Sequence, residues 1–123
     1  MVEDISGQIR KFSSGATRDT ERGKLDLEGF LSPAVLQAFA EYMNKHRVNS
    51  DGTLRDSDNW QKLFGEKHYD VCMKSLTRHF MDLWMYHRGE EPRETVDDAL
   101  AGIFFNTMAY WFKLLKERKE KKV

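Results

Sequence analysis

The sequence predicts an all-α fold: a small helical bundle built on an antiparallel helical hairpin, about residues 67–88 and 95–118, with an extended N-terminal arm. Three observations predict it. Apolar residues recur at three-and-four spacing over several long stretches. No stretch of useful length alternates apolar and polar residues as a half-buried strand does. Helix start and stop signals, Ser32-Pro33 at one boundary and Gly89 at another, fall where the periodicity begins and ends.

Residues 1 to about 30 carry glycine, serine and charge with little periodicity and read as an arm or irregular lead-in. Its second half places Leu25, Leu27, Phe30 and Leu31 among charges, as expected of a segment that docks onto the body. Ser32 is placed to cap a helix whose first position is Pro33, where a missing N–H costs nothing. That helix runs to about His46 and gathers Val35, Leu36, Phe39, Tyr42 and Met43 on one face. Between 48 and 67 the periodicity breaks, with an Asp51-Gly52 turn and Ser57 as a possible cap for a short helical turn around Trp60. The third element, from about Lys67 or Tyr69 to His87, stripes Tyr69, Cys72, Met73, Leu76, Phe80, Leu83 and His87. The fourth begins near Thr95 and stripes Val96, Leu100, Ile103, Thr107, Trp111 and Leu114.

At 123 residues the chain is one domain in length, with a core drawn from 40% hydrophobic residues. Twenty basic and twenty acidic residues balance, so no overall basic field argues for nucleic acid, and the C-terminal KERKEKK interleaves both signs as a solvated helix end does. Cys72 is the only cysteine, which excludes an intrachain disulfide and fits a reducing, cytoplasmic setting; beside Tyr69, Met73 and Leu76 it reads as a buried inert thiol rather than a nucleophile. The first residues lack the apolar run of a secretory leader, and no later stretch is long enough without charge to span a bilayer, so no membrane association is expected.

Chemistry concentrates in Arg78 to Asn106. At about 100° per residue, His79 and Asp82 border the Leu76 stripe on one flank, near Ser75 and Tyr86, while Asp98, Gly102 and Asn106 line one flank of the Ile103 stripe. If the two helices pack antiparallel, 82 stands level with 98 and 79 with 102, and Gly102 leaves a gap between polar groups. Asp82 and Asp98 then supply the one or two carboxylates that Mg²⁺ takes when substrate phosphates and water complete its shell, with Glu94 as a third ligand or base and His79 orienting a carboxylate or water. The bland alternatives are a capping box from Thr95 to Asp98, helix-start acids favoured by the macrodipole at Glu90, Glu91, Glu94 and Asp97, and a boundary histidine at 79. His46, His68 and His87 have no zinc-ligand spacing. Lys24, Lys74, Arg78 and Arg93 are candidates to neutralise phosphate. Trp60, in a loop, is a candidate to stack on a base, whereas Trp111 is expected in the core.

The runs FSSGATRDTERGKLDLEGFLSP, HRVNSDGTLRDSDNWQ, MKSLTRHFMDLW and DDALAGIFFN, in that order from about Phe12 to Leu115, resemble the phage-type dATP/dGTP diphosphohydrolase N-terminal family. That family is in turn similar to MazG-like all-α nucleotide pyrophosphohydrolases, which hold Mg²⁺ through an ExxE and a later ExxD pair. The resemblance implies a Mg²⁺-dependent pyrophosphohydrolase of purine dNTPs. Its first pair falls on His79 and Asp82, with histidine where the pattern has glutamate, and its second on Glu94 with Asp97 or Asp98, of which helical phase favours Asp98. Asn106 falls where related helices carry a polar group near the substrate. A homo-oligomer through the apolar helix faces is expected as well. The rival class is a non-catalytic nucleotide-binding or protein-interaction module.

Overall fold

Residues 9–19 and 23–121 are described by a computed structural model. Of the expected arm, residues 1–8 and 20–22 lie outside the described residues, as do the last two. The chain divides into two units, Met1–Pro33 and Ala34–Val123.

The first unit corrects the strictly all-α expectation. Strands β1 (Ile9–Lys11) and β2 (Thr17–Asp19) pair antiparallel, Ile9 opposite Asp19 and Lys11 opposite Thr17. The turn that joins them is closed by Phe12 N–H donating to Ala16 O and Gly15 N–H to Phe12 O, each at 3.0 Å. Serine and glycine in this turn explain the missing helical period, and three-residue strands are too short to show alternation. A single helical turn, α1 (Leu27–Phe30), follows, capped by Asp26 Oδ1 accepting from Gly29 N–H at 2.9 Å. Leu25, Leu27, Phe30 and Leu31, expected to dock, are all exposed.

The helical unit contains α2 (Pro33–Lys45, beginning at the unit boundary), a 3₁₀ turn (Asn59–Lys62), α3 (His68–His87) and α4 (Val96–Lys121). Pro33 opens α2 as its chemistry predicts. The 3₁₀ turn forms around Trp60, but it starts after Asp58 without a side-chain cap, so Ser57 does not fill that role. Between α2 and this turn the chain doubles back on itself. Asp51 Oδ1 accepts from the backbone N–H and hydroxyl of Thr53, Val48 bridges Leu54, and Arg55 N–H donates to Arg47 O at 2.8 Å.

Helices α3 and α4 form the antiparallel hairpin. The buried positions are His68, Cys72 and Asp82 on α3 and Ala99, Gly102, Asn106 and Ala109 on α4, with Ser75 and His79 half-buried between them. Read as 68, 72, 75, 79, 82 and 99, 102, 106, 109, both rows step by threes and fours, the heptad period of a left-handed helix pair. Both rows are small or polar. The seam is thus rotated toward the polar flank and away from the apolar stripes centred on Leu76 and Ile103. Small side chains let the backbones approach closely, and every buried polar side chain among the described residues is hydrogen-bonded. His68 is held at both nitrogens: Nδ1 accepts from Phe64 N–H at 3.1 Å and Nε2 donates to Ala109 O at 2.9 Å. This rotation corrects the Trp111 expectation, since Trp111 is 58% exposed. Trp60 instead packs edge-on against Phe105 and Phe112, with ring centroids 6.0 and 5.0 Å away.

Candidate functional site

Gly89 ends α3 in the left-handed conformation, φ 75°, which a residue with a Cβ adopts only at a cost. Glu90 N–H then returns to Met85 O at 2.8 Å, and the connection folds back alongside the last turns of α3. That return path brings Arg93 onto Asp82. Asp82, 1% exposed, accepts from Arg93 backbone N–H (3.0 Å) and Nε (3.2 Å) at Oδ1 and from Nη2 (2.7 Å) at Oδ2. The guanidinium bonds hold the Asp82 carboxyl well below the usual carboxylate range despite burial, which pushes the other way, and Arg93 is raised in turn.

One residue further, Glu94 Oε2 lies 2.6 Å from His79 Nδ1, so the imidazole donates through Nδ1. The opposite side of that ring packs on α4 at Gly102, where an added Cβ would lie 2.5 Å from ring atoms Cγ, Cδ2 and Nε2. The expected 79–102 juxtaposition is therefore present, and glycine there makes room for the imidazole. His79, Asp82 and Glu94 each offer a ligand atom within 4.8 Å of one another. Two carboxylates satisfy what Mg²⁺ asks of a protein, and an imidazole nitrogen also suits Mn²⁺ or Zn²⁺. A carboxylate offers about four lone-pair sites, and Arg93 takes three of those on Asp82. By donor chemistry the set fits a divalent cation, in competition with the guanidinium.

Asp98 stands outside this cluster. It faces α2, where Lys45 Nζ lies 2.7 Å from its Oδ1. Thr95 Oγ1 accepts from Asp98 N–H at 3.1 Å and Thr95 O from Ala99 N–H at 2.9 Å, so half of the capping box forms. Tyr42, on α2, has its hydroxyl pKa raised by burial and by the negative charges of Glu94 and Asp98.

Beside the cluster, α2, the doubled-back loop, α3 and α4 line an open cavity of about 630 Å³. His79 belongs to both, bonded to Glu94 on one side and walling the cavity on the other. Phe39, Phe64, Phe105 and Trp60 supply apolar lining, while Arg47, Arg55, Arg78, Ser75 and Asn106 supply polar groups. Asn106 Nδ2 donates to Ser75 Oγ (3.1 Å) and Gly102 O (2.8 Å), which ties its amide across the seam. Arg47 Nε donates to Arg55 O at 2.7 Å and Arg55 Nη2 to His46 O. Among the described residues none of the three arginine side chains has a carboxylate partner.

Of the substrate-binding candidates, Trp60, Arg78 and Asn106 therefore share the cavity. Lys74 is exposed and does not line it, and Lys24 belongs to the first unit. Arg93, expected to meet phosphate, is engaged by Asp82. Arg47 and Arg55 were not legible as a pair by helical phase, although they lie four residues either side of Asp51 and a turn there makes them neighbours. No helix among the described residues is long and apolar enough to cross a membrane. No family model, curated protein or solved structure matches this chain.

Proposed function

We propose that the chain is a divalent-cation-dependent hydrolase of deoxynucleoside triphosphates, with purine nucleotides preferred, that releases pyrophosphate. The observation that carries this reading is the shared position of His79, in contact with the Glu94 carboxylate and in the wall of a cavity of nucleotide size. The aromatic lining, Trp60 included, offers a base its stacking partners, and Arg47, Arg55 and Arg78, which outnumber the one lining carboxylate, Asp56, offer cations to a polyphosphate. Glu94 fixes the His79 tautomer by accepting from Nδ1, which leaves Nε2 as the base that takes a proton from water. The water oxygen bonds to the α-phosphorus as the bond from that phosphorus to the bridging oxygen breaks, and pyrophosphate leaves. Held by the Asp82 and Glu94 carboxylates, with His79 Nε2 left free as the base, a Mg²⁺ ion would supply charge neutralisation to the phosphates.

The test incubates the protein with each dNTP and Mg²⁺ or Mn²⁺ and assays pyrophosphate, with His79→Asn and Glu94→Gln in parallel. Turnover is expected to fall about 10²-fold or more in both variants, while nucleotide binding, followed by titration calorimetry, persists. Absence of pyrophosphate from every dNTP would sink the enzymatic reading. One observation favours a second reading, a nucleotide-binding module without hydrolysis: the Arg93 guanidinium already neutralises Asp82. Tight dNTP binding without turnover is its expected result.

A further inference from the structure

The α3–α4 seam divides each helix into two sides. Val71, Ser75 and Arg78 on α3 and Phe105 and Met108 on α4 wall the cavity on one side. Across the seam by helical phase lie the half-buried Leu76, Leu83, Ile103 and Leu114 and, beyond them, Met73, Phe80, Trp84, Leu100 and Trp111. These last five are 45% to 58% exposed. The two stripes that periodicity marks as core are therefore only partly covered. With small and polar residues filling the seam, these five large apolar side chains are left exposed on one flank of the hairpin, more than isolated surface residues account for.

Charge says what covers it. The connection end of the hairpin, residues 87–98, carries Arg88 and Arg93 against five carboxylates, a formal net charge of −3 with His87 neutral. The free end of α4, residues 113–121, carries five lysines and arginines against two glutamates, a formal net charge of +3. A second copy of the hairpin, turned end for end, matches hydrophobic stripe to stripe and sets each acidic end against a basic one. A copy stacked with like ends together does not. The five exposed side chains offer roughly 500 Å² per copy, and the half-buried residues beside them bring the face near the roughly 800 Å² per partner of a standard interface.

We propose that the chain forms a symmetric homodimer through this face, α3 against α3 and α4 against α4 of the second copy in antiparallel sense, as a four-helix bundle with the cavities on its outer sides. The twofold axis crosses the helices, which makes the contact isologous and closed. It is independent of the nucleotide reading, since the dimer face and the cavity wall share no residue.

Sedimentation of the full chain at micromolar concentrations, in low and high salt, tests it. The expected result is a dimer that weakens as salt rises and dissociates at least about ten-fold more readily with Phe80→Glu or Leu100→Glu, each checked for helix content by circular dichroism. Because a buried glutamate can unfold a chain, a second set uses exposed charges alone. Glu90→Lys with Glu91→Lys is expected to weaken the dimer, and adding Lys116→Glu with Lys119→Glu to restore it. A monomer throughout, whether the stripe is bare or covered by the Leu25–Leu31 segment, overturns the proposal. So does a dimer that the charge reversals do not touch, or one that salt strengthens, which would join like ends.

Discussion

At Gly102, a single missing Cβ decides whether His79 can sit where it does. The imidazole occupies the volume a methyl group would need, so Gly102→Ala must push the ring off the seam or spread the helices. Overpacking of this kind costs about 1–3 kcal/mol, and thermal unfolding is expected to register a loss in that range. Catalysis, if dNTP turnover is present, is expected to fall further than stability, because the displaced ring loses Glu94. Asp82 poses the complementary problem of a buried charge. Its carboxyl is held well below the unfolded value of about 3.9, first by the Arg93 guanidinium. The folded state therefore binds its proton less readily than the unfolded state does. The stability this contributes is complete above about pH 4 and is lost as pH falls through the depressed folded value. Acid titration of unfolding is expected to show that limb in the parent chain and a flatter one in Asp82→Asn, which begins less stable at neutral pH; equal slopes would refute the assignment.

Helix starts and returns set the geometry at the next scale. Thr95 ends the connection and begins α4 with both its carbonyl and its hydroxyl, so Thr95→Ala is expected to cost about 1 kcal/mol, read from denaturant unfolding with an unchanged m-value. The other end of the hairpin is latched by Tyr69, whose hydroxyl donates to Glu117 Oε1 at 2.9 Å while Lys113 Nζ lies 4.5 Å from its ring centroid. Burial and the Glu117 carboxylate push the Tyr69 hydroxyl up to about 12. That latch is intact below the unfolded tyrosine value of about 10 and weakens as pH climbs toward the folded one. Tyr69→Phe is expected to remove this part of the alkaline limb. Glu94, by contrast, obeys no helix phase. It precedes α4, which is why helical geometry chose Asp98 for the metal cluster, whereas the return of the connection brings in Glu94 and leaves Asp98 to Lys45.

Across the whole helical unit, the central fact is a seam of small and polar residues with the large apolar side chains beside it. Cys72 lies in that seam, where burial pushes its thiol up. Alkylation is expected only as fast as the helices separate, so iodoacetamide labelling should track global unfolding; rapid labelling of the native chain would contradict the packing. The positions of the long helices were legible because Pro33, Gly89 and the three-and-four period act locally, through backbone chemistry that no distant contact overrides. The 79–102 pairing was legible too, since an antiparallel turn fixes relative heights. Which side of each helix becomes the seam was not, because hydrophobic periodicity identifies faces to be covered without saying by what. Trp111 shows the difference: its spacing is that of a core residue, yet its face is uncovered within one chain. Local patterning was enough for the long helices, their order and the short list of titratable groups. It took the folded chain to bring Glu94 rather than Asp98 to His79 and Asp82, to gather Arg47 and Arg55 with Trp60 around one cavity, and to leave part of each apolar stripe exposed. Those outcomes depend on long-range packing and chain reversal, and local patterning carries no term for either.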